Sequence, residues 1–465
     1  MFGASRLTAL SLNFFYFALL QVFLFQTIKK ITNRYLFGFL LIGILLSTRS
    51  FFILGGAYDF RIDFMALCLF GMFVSSILNS NIFLNKKWAL ISAAMAFFLI
   101  TIRFITASYI GCIALVMFFY YGGLCLLQRN VHENRQRVMN IVLFSVIVML
   151  CVAPILWWHR DLIYSYYVVG HYTSMEKLMR AREAGVINFY TNLIYYPVTF
   201  YREHLGGRTV AKIVSVLIFL AMSCLVSSFM KNKQAGLKSN WNYQNTFIFL
   251  SVCMVVPIII LTLDQSKSPI VPGIILIPFI LFITLSIGFF YEKIFLVTAK
   301  ANELMMVITL FFLINGLNNY LSHTSSHSRL YDQRMVVVTT MINDIGNYAV
   351  KVGWQNVSIS ADQIADYLIY PVAPLYYEMH HVLLNVSPGL GATEVNPETK
   401  ERAIEKLKKS HFFIANISGY VPNKIYPFEI SIANDRAFLR EVANKLFRVL
   451  GKYRINGNLY IIYPK

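Results

Sequence analysis

Charge is what this chain has least of. Only 14% of its 465 residues are Asp, Glu, Lys or Arg, and acids are the scarcer sign, 22 against 41 basic residues. A water-soluble domain carries roughly a quarter charged residues, so a wholly soluble chain is excluded. Cysteine is sparse: Cys68, Cys112, Cys125, Cys151, Cys224 and Cys253 all fall in apolar runs, and none forms a C-x-x-C. That excludes a disulfide framework and a cysteine zinc site. No P-loop, G-x-G-x-x-G, H-E-x-x-H or G-x-S-x-G occurs, so nucleotide-driven transport and the common hydrolase signatures lack support. No internal repeat or low-complexity tract stands out. The start, MFGASRLTAL, lacks a compact basic region and a small-residue cleavage site, so no cleavable signal peptide is expected.

What is abundant is apolar. Hydrophobic residues make up 57% of the chain, with 39 Phe and 28 Tyr, and the mean hydropathy is +0.59. The aromatics suit belts at the two membrane interfaces. A membrane helix needs about twenty mostly apolar residues. By that measure there are about ten candidates, near 8–27, 35–54, 64–84, 88–104, 106–127, 140–157, 210–230, 245–263, 270–290 and 302–321. The expected fold is an all-α polytopic membrane protein followed by a C-terminal extracytoplasmic α/β domain. The formal charge of +19 reads as a positive-inside bias and attraction to anionic headgroups, not as nucleic-acid binding.

Loop charges set the orientation. One set of connections holds Lys29, Lys30 and Arg34, then Lys86 and Lys87, then Arg129, Arg135 and Arg137, then Lys231, Lys233 and Lys238, then Lys293 and Lys300. The alternate short connections hold Arg61, Arg103 and Lys267, with Arg49 just inside the boundary. The first set is cytoplasmic by the positive-inside rule. The second set, the long loop 158–208 and the segment from 322 then lie outside, and so does Met1.

The domains expected are a membrane part, 1–321, and a soluble part, 322–465. In the latter, SSHSRLYDQRMVVVTTMINDIGNYAVKVG reads as a helix, NVSIS at 356–360 as a strand and ADQIADYL as a short helix. PETKERAIEKLKKS follows as an amphipathic helix, HFFIANIS at 411–418 as a buried strand, NDRAFLREVANKLFRVLGKY as a capped helix and NLYIIYP as a last strand. Alternating helices and strands point to a small α/β domain.

Four groups of residues could carry chemistry. GGAYDFRID places Asp59, Arg61 and Asp63 between two spans on the outer face. The carboxylates suit sugar hydroxyls, a divalent cation or a pair with Arg61, and the plain alternative is a hydrophilic turn. Arg61, Arg103 and Lys267 come from separate connections at the same face, where together they would clamp a phosphate, Arg by a bidentate fork and Lys as a point charge. The plain alternative is independent snorkelling to headgroups, as favoured for Arg49. TLDQSKSPIVPG joins Asp264 and Lys267 across a turn before Pro269. The long loop carries His171, Glu176, Lys177, Arg180, Arg182, Glu183 and His204, with acid–base and phosphate-binding options. Within it MEKLMRAREAG reads as an interfacial amphipathic helix ending at Gly185.

Certain runs resemble a known family. GASRLTALSLNFFYFALL, LLSTRSFFILGGAYDFRIDFMALCLF and AAMAFFLITIRFITASYIG look like the membrane core of the GT-C glycosyltransferases. They are most similar to the bacterial protein-mannosyltransferase-like and aminoarabinose-transferase-like members. The shared elements are Gly3, Ser5 and Arg6 at the start, Arg61 and Asp63 as an external R-x-D, and Arg103 at a hairpin tip. YYVVGHYTSMEKLMRAREAG and DQSKSPIV are similar as well, and the resemblance covers about residues 1–320.

The resemblance implies transfer of a sugar from a polyprenyl-phosphate donor to a glycan, lipid or protein acceptor, on the outer face of a bacterial inner membrane and usually with inversion. An acid serves as base on the acceptor hydroxyl, cations stabilise the departing phosphate, and no cofactor beyond an optional divalent cation is implied. The family's catalytic acid lies in a first external loop, and this chain begins where that loop would end. A first helix and loop are therefore expected to be missing, leaving Asp59 and Asp63 as substitute candidates. A transporter or flippase for lipid-linked glycans, and a truncated non-catalytic membrane protein, are the alternatives. A transporter is expected to set its cations deeper, in both halves of a repeat.

Overall fold

In the computed structural model, the described residues are 6–52, 56–58, 62–164, 167–168, 181, 184–205, 243–264, 267–294, 299–361, 383–386, 401, 404–405, 407–416, 437–438, 440–446, 448–455 and 458–464. They fall in two compact units, Leu10–His323 and a second unit made of Met1–Ala9 with Thr324–Lys465.

The larger unit is helical. Its elements are α1 (Arg6–Thr32), α2 (Tyr35–Ser47), α3 (Asp63–Asn79), α4 (Lys86–Ile102), α5 (Thr106–Leu126), α6 (Val131–Trp158) and the single turn α7 (Arg160–Ile163). Then come α8 (Phe189–Thr199), a π-helical turn (Phe200–Leu205), α9 (Tyr243–Leu263), a 3-10 turn (Val271–Ile275), α10 (Leu276–Ile294) and α11 (Ala299–Val352), which runs on past His323. Among the described residues, six helical stretches are long and apolar enough to cross a bilayer: Leu10–Thr32, Thr106–Leu126, Val131–Trp158, Tyr243–Leu263, Val271–Phe289 and Asn302–His323. They make this a multi-pass membrane protein.

The count differs from the ten expected. The candidates near 35–54, 64–84 and 88–104 are helices of 13, 17 and 17 residues, and the one near 210–230 lies outside the described residues. At 1.5 Å per residue such helices reach only about 20–25 Å, short of a hydrocarbon core of about 30 Å. For α3 the apolar character has another cause. Every residue of α3 from Ala66 to Asn79 is buried, so α3 is wrapped by protein rather than lipid, and an interior helix reads as apolar on all sides.

Close helix crossings rest on small residues, as is usual without a hydrophobic drive between spans. A Cβ on Gly316 of α11 would lie 2.8 Å from Leu46 Cβ, and one on Gly43 of α2 would lie 3.0 Å from the Leu313 backbone. Ser47 Oγ closes this crossing by donating to Phe312 O at 3.1 Å.

The turn from α3 to α4 is unusual. Asn81, Ile82 and Phe83 are three successive left-handed residues, with φ of 52°, 54° and 62°. For a β-branched residue such as Ile82 this costs about 1–2 kcal/mol, so neighbours must hold it. Ser80 Oγ accepts from Phe83 N at 2.6 Å, and Asn140 Nδ2 of α6 donates to Phe83 O at 2.6 Å and Leu84 O at 3.0 Å. Asn85 then caps α4, its side chain accepting from Lys87 N and Trp88 N.

The smaller unit carries a five-stranded mixed sheet of order β2-β1-β3-β5-β4. The strands are β1 (Asn356–Ala361), β2 (Leu383–Val386), β3 (Phe412–Asn416), β4 (Gly451–Ile455) and β5 (Asn458–Pro464). β1 pairs parallel with β2 and β3, whereas β5 runs antiparallel to β3 and β4. The helix expected through GKY stops short, because Gly451–Ile455 forms a hairpin with β5.

Candidate functional site

A cluster of polar groups in the larger unit lies at the end where α3 and α5 begin and α2, α4 and α9 finish. Ser50, Asp63, Arg103, Tyr109, His204 and Gly273 line a small hollow there. Its volume of about 20 Å³ holds about one water molecule.

Two polar pairs border it. Asp63 opens α3, and its carboxylate is ion-paired with Arg103 Nη1. Arg103 sits in the break between α4 and α5: its N–H still donates to Leu99 O at 3.0 Å, while its carbonyl accepts from Thr106 N at 3.0 Å and Thr106 Oγ1 at 2.7 Å. These bonds close a tight hairpin, from which Arg103 lines the hollow. The pair is partly covered, with side-chain exposures of 21% for Arg103 and 16% for Asp63. A guanidinium has five N–H donors, so this pairing leaves Arg103 further donors for a ligand.

The second pair is Ser50 with His204. The Ser50 N–H donates to His204 O at 3.2 Å, and Ser50 Oγ lies 2.9 Å from His204 Nδ1. His204 Nε2 lies 2.8 Å from Pro269 O. A carbonyl cannot donate, so Nε2 carries the hydrogen; in the neutral ring Nδ1 is then the acceptor and the Ser50 hydroxyl donates to it. Burial pulls the His204 pKa below its ordinary 6.5, against the opposing pull of the Pro269 carbonyl and Glu203, so the neutral form is favoured. The Phe200 ring stacks on the imidazole with centroids 6.0 Å apart. Gly273 also packs on the ring: a Cβ there would lie 2.8 Å from His204 Cε1, so a side chain at this position would have to displace the imidazole.

Lys267 lies close by but faces elsewhere. Its Nζ donates to Leu261 O and Thr262 O at 3.2 Å each, and to Asp264 O. The ammonium therefore caps the carbonyl end of α9, where the helix dipole favours a cation. It rests over the Tyr196 ring at 5.1 Å, and all three of its N–H groups point at backbone oxygens. Burial lowers its pKa from 10.5 to about 8, with Asp264 opposing. Burial also raises the Tyr196 pKa, with Asp264 acting in the same sense. Asn192 of α8 donates to the same Thr262 O at 3.2 Å, so the loop's described part is fastened to this corner. Its Asn188 capping box with Thr191 starts α8. Val186 N–H donates to Ala181 O at 2.8 Å past Gly185, whose φ is 72°, a bond that closes a left-handed turn; the helix expected over MEKLMRAREAG otherwise lies outside the described residues.

Of the residues singled out in sequence, Asp63, Arg103 and His204 are brought together, and Lys267 serves the neighbouring helix end. Asp59, Arg61, His171, Glu176 and Arg180 lie outside the described residues. Ser50, Tyr109 and Gly273 escaped sequence reasoning. Nothing near Ser50 marks it beyond its place after Arg49 at the end of an apolar run, and Arg49 itself is exposed. Among the described residues, no group of three or more His, Cys, Asp or Glu converges as a metal site.

An apolar cleft of about 620 Å³ runs between α5 and α6. Ile100 and Ala107, which bracket Arg103 in sequence, line it, and so do Gly111, Ala114 and Phe118 further along α5. From Ala107 to Phe118 the helix rises about 16 Å. Compared with known proteins, the chain matches no family model and no curated protein.

Proposed function

We propose that this protein is a membrane glycosyltransferase that takes a sugar from a polyprenyl-phosphate donor and passes it to an acceptor hydroxyl. One observation carries the reading: the α5–α6 cleft starts at residues flanking Arg103, the cation of the polar hollow. A ligand with a long apolar chain and an anionic head fits that pattern. The chain lies along α5, and the phosphate meets the Arg103 donors that Asp63 leaves available.

In this reading Arg103 stabilises negative charge on the leaving phosphate, and Asp63 holds the guanidinium in place. Lys267 acts on the α9 end and keeps the 264–274 corner in shape, rather than touching phosphate. Membrane lipids surround the helices. The proposed setting is the inner membrane of a bacterium, with the site and the sheet-bearing unit on the outer side, as the loop charges imply.

The test uses membranes containing the full chain and a radiolabelled polyprenyl-phosphate sugar. Wild-type membranes are expected to move label off the lipid, and Arg103→Ala membranes to do so at least tenfold more slowly. Equal rates would remove Arg103 from the reaction. A lipid-linked glycan transporter draws on the same cleft. It would carry the label across a vesicle membrane with the sugar–phosphate bond intact, which the same labelled lipid reports.

A further inference from the structure

The proposed transfer needs a group to take the acceptor's proton, and Asp63 is engaged with Arg103. We propose that Ser50 and His204 form a proton relay at the hollow, with Ser50 receiving the acceptor hydroxyl's proton and His204 taking the proton that Ser50 gives up. This rests on the glycosyl-transfer reading and adds a base to it.

The geometry supports this step in three ways. Ser50 Oγ and His204 Nδ1 are 2.9 Å apart, within the range for direct proton transfer. The imidazole is oriented by a third group, the Pro269 carbonyl at 2.8 Å from Nε2, which is the arrangement of an activated hydroxyl beside a fixed base. Ser50, Arg103 and Asp63 line one hollow, so a hydroxyl bonded to Ser50 lies close to the guanidinium that meets the phosphate.

The step balances. The acceptor oxygen bonds to the anomeric carbon as the carbon–oxygen bond to phosphate breaks, and that electron pair leaves on the phosphate. The acceptor's proton goes to Ser50 Oγ while the Ser50 proton goes to His204 Nδ1. The resulting imidazolium has both N–H groups placed, Nδ1–H on Ser50 Oγ and Nε2–H on Pro269 O. It returns its proton to water after the phosphate departs.

The surroundings set its pH response. Among the described residues, Glu203 acts from the same π-helical turn. Asp63 of α3, Arg103 after α4 and Tyr109 of α5 line the hollow that His204 borders, and Ser50, Ile270, Val271 and Gly273 complete the wall. A buried Ser–His strut with no chemical role would make the same contacts, so the experiment must read proton movement.

Two arms do this on the full chain in lipid nanodiscs. In the first, loss of label from the polyprenyl-phosphate sugar is followed against pH. Ser50→Ala and His204→Gln are expected to lower kcat by about a hundredfold or more, and Ser50→Thr to retain most of it. The acid limb of the wild-type profile is expected below the ordinary histidine range and to vanish in His204→Gln. An unchanged rate in Ser50→Ala, or an acid limb that persists without His204, overturns the relay. In the second arm, NMR of the imidazole nitrogens is assigned by difference from His204→Gln. A neutral ring bearing hydrogen on Nε2, with an Nδ1 signal that moves in Ser50→Ala, supports the relay. Hydrogen on Nδ1, or a charged ring at neutral pH, overturns it whatever the transfer assay gives. Wild-type protein that moves no label, yet shows the expected ring, overturns the transfer reading and leaves the Ser50–His204 proton couple standing.

Discussion

Gly273 and His204 are in contact: a Cβ on Gly273 would stand 2.8 Å from His204 Cε1 and 3.0 Å from Nδ1. The 3-10 turn thus forms the wall that fixes the imidazole. Gly273→Ala is expected to push the ring off Ser50, destabilise the fold by about 1–3 kcal/mol as overpacking does, and lower transfer while leaving the donor KM near normal. Thermal unfolding and steady-state kinetics of the variant check this. A wild-type kcat would show that the ring has room to spare.

The Asp63–Arg103 pair is partly covered, so its worth should fall between that of exposed and buried ion pairs. Asp63→Asn and Arg103→Gln are each expected to destabilise by about 1–3 kcal/mol. The double variant should lose less than the sum of the two. A double-mutant cycle on thermal stability in detergent measures the coupling, and strict additivity would mean that the two side chains do not act as a pair.

Lys267 has a pKa near 8 in the folded chain and 10.5 as its ordinary value. Between those values the unfolded state binds more protons than the folded one, so stability rises with pH across that window. The wild-type melting temperature is expected to climb from pH 8 toward pH 10, relative to a Lys267→Met variant in which this component is gone. Parallel curves for the two proteins would place the ammonium in water.

Gly111 lines the α5–α6 cleft, and a Cβ there meets nothing within 4 Å. Gly111→Phe should therefore fold with wild-type stability and fill the cleft. The expected result is a several-fold rise in KM for a long-chain donor, with less change for a short-chain analogue. Equal KM values for both donors would put the lipid chain elsewhere.

The membrane class was legible because hydropathy over about twenty residues is a strong signal. At α3 the same signal misleads, because that helix is apolar through enclosure by protein, and hydropathy cannot tell protein from lipid as the surrounding medium. Three strands of the smaller unit were readable from runs such as HFFIANIS and NLYIIYP. β4 was hidden behind a helical pattern that continued into GKY, and its partner β5 decided the matter through a short hairpin. At the site, Arg103 and Asp63 stood out because charge is rare there. The Ser50–His204 bond joins residues 154 positions apart, and no local pattern reports a long-range hydrogen bond. Lys267 stands out in sequence as a cation beside the membrane; its geometry is that of a helix cap, which sequence spacing alone does not separate from a ligand-facing cation.

The left-handed triplet Asn81–Ile82–Phe83 acts on the site from a distance. It is the joint between α3, which starts at Asp63, and α4, which finishes beside Arg103. Each arm is 17 residues long, or about 25 Å. A small change in angle at such a joint becomes a displacement of several ångströms at the arm tips, so the hydrogen bonds from Ser80 and Asn140 that hold this turn also bear on how near the two tips stay to each other.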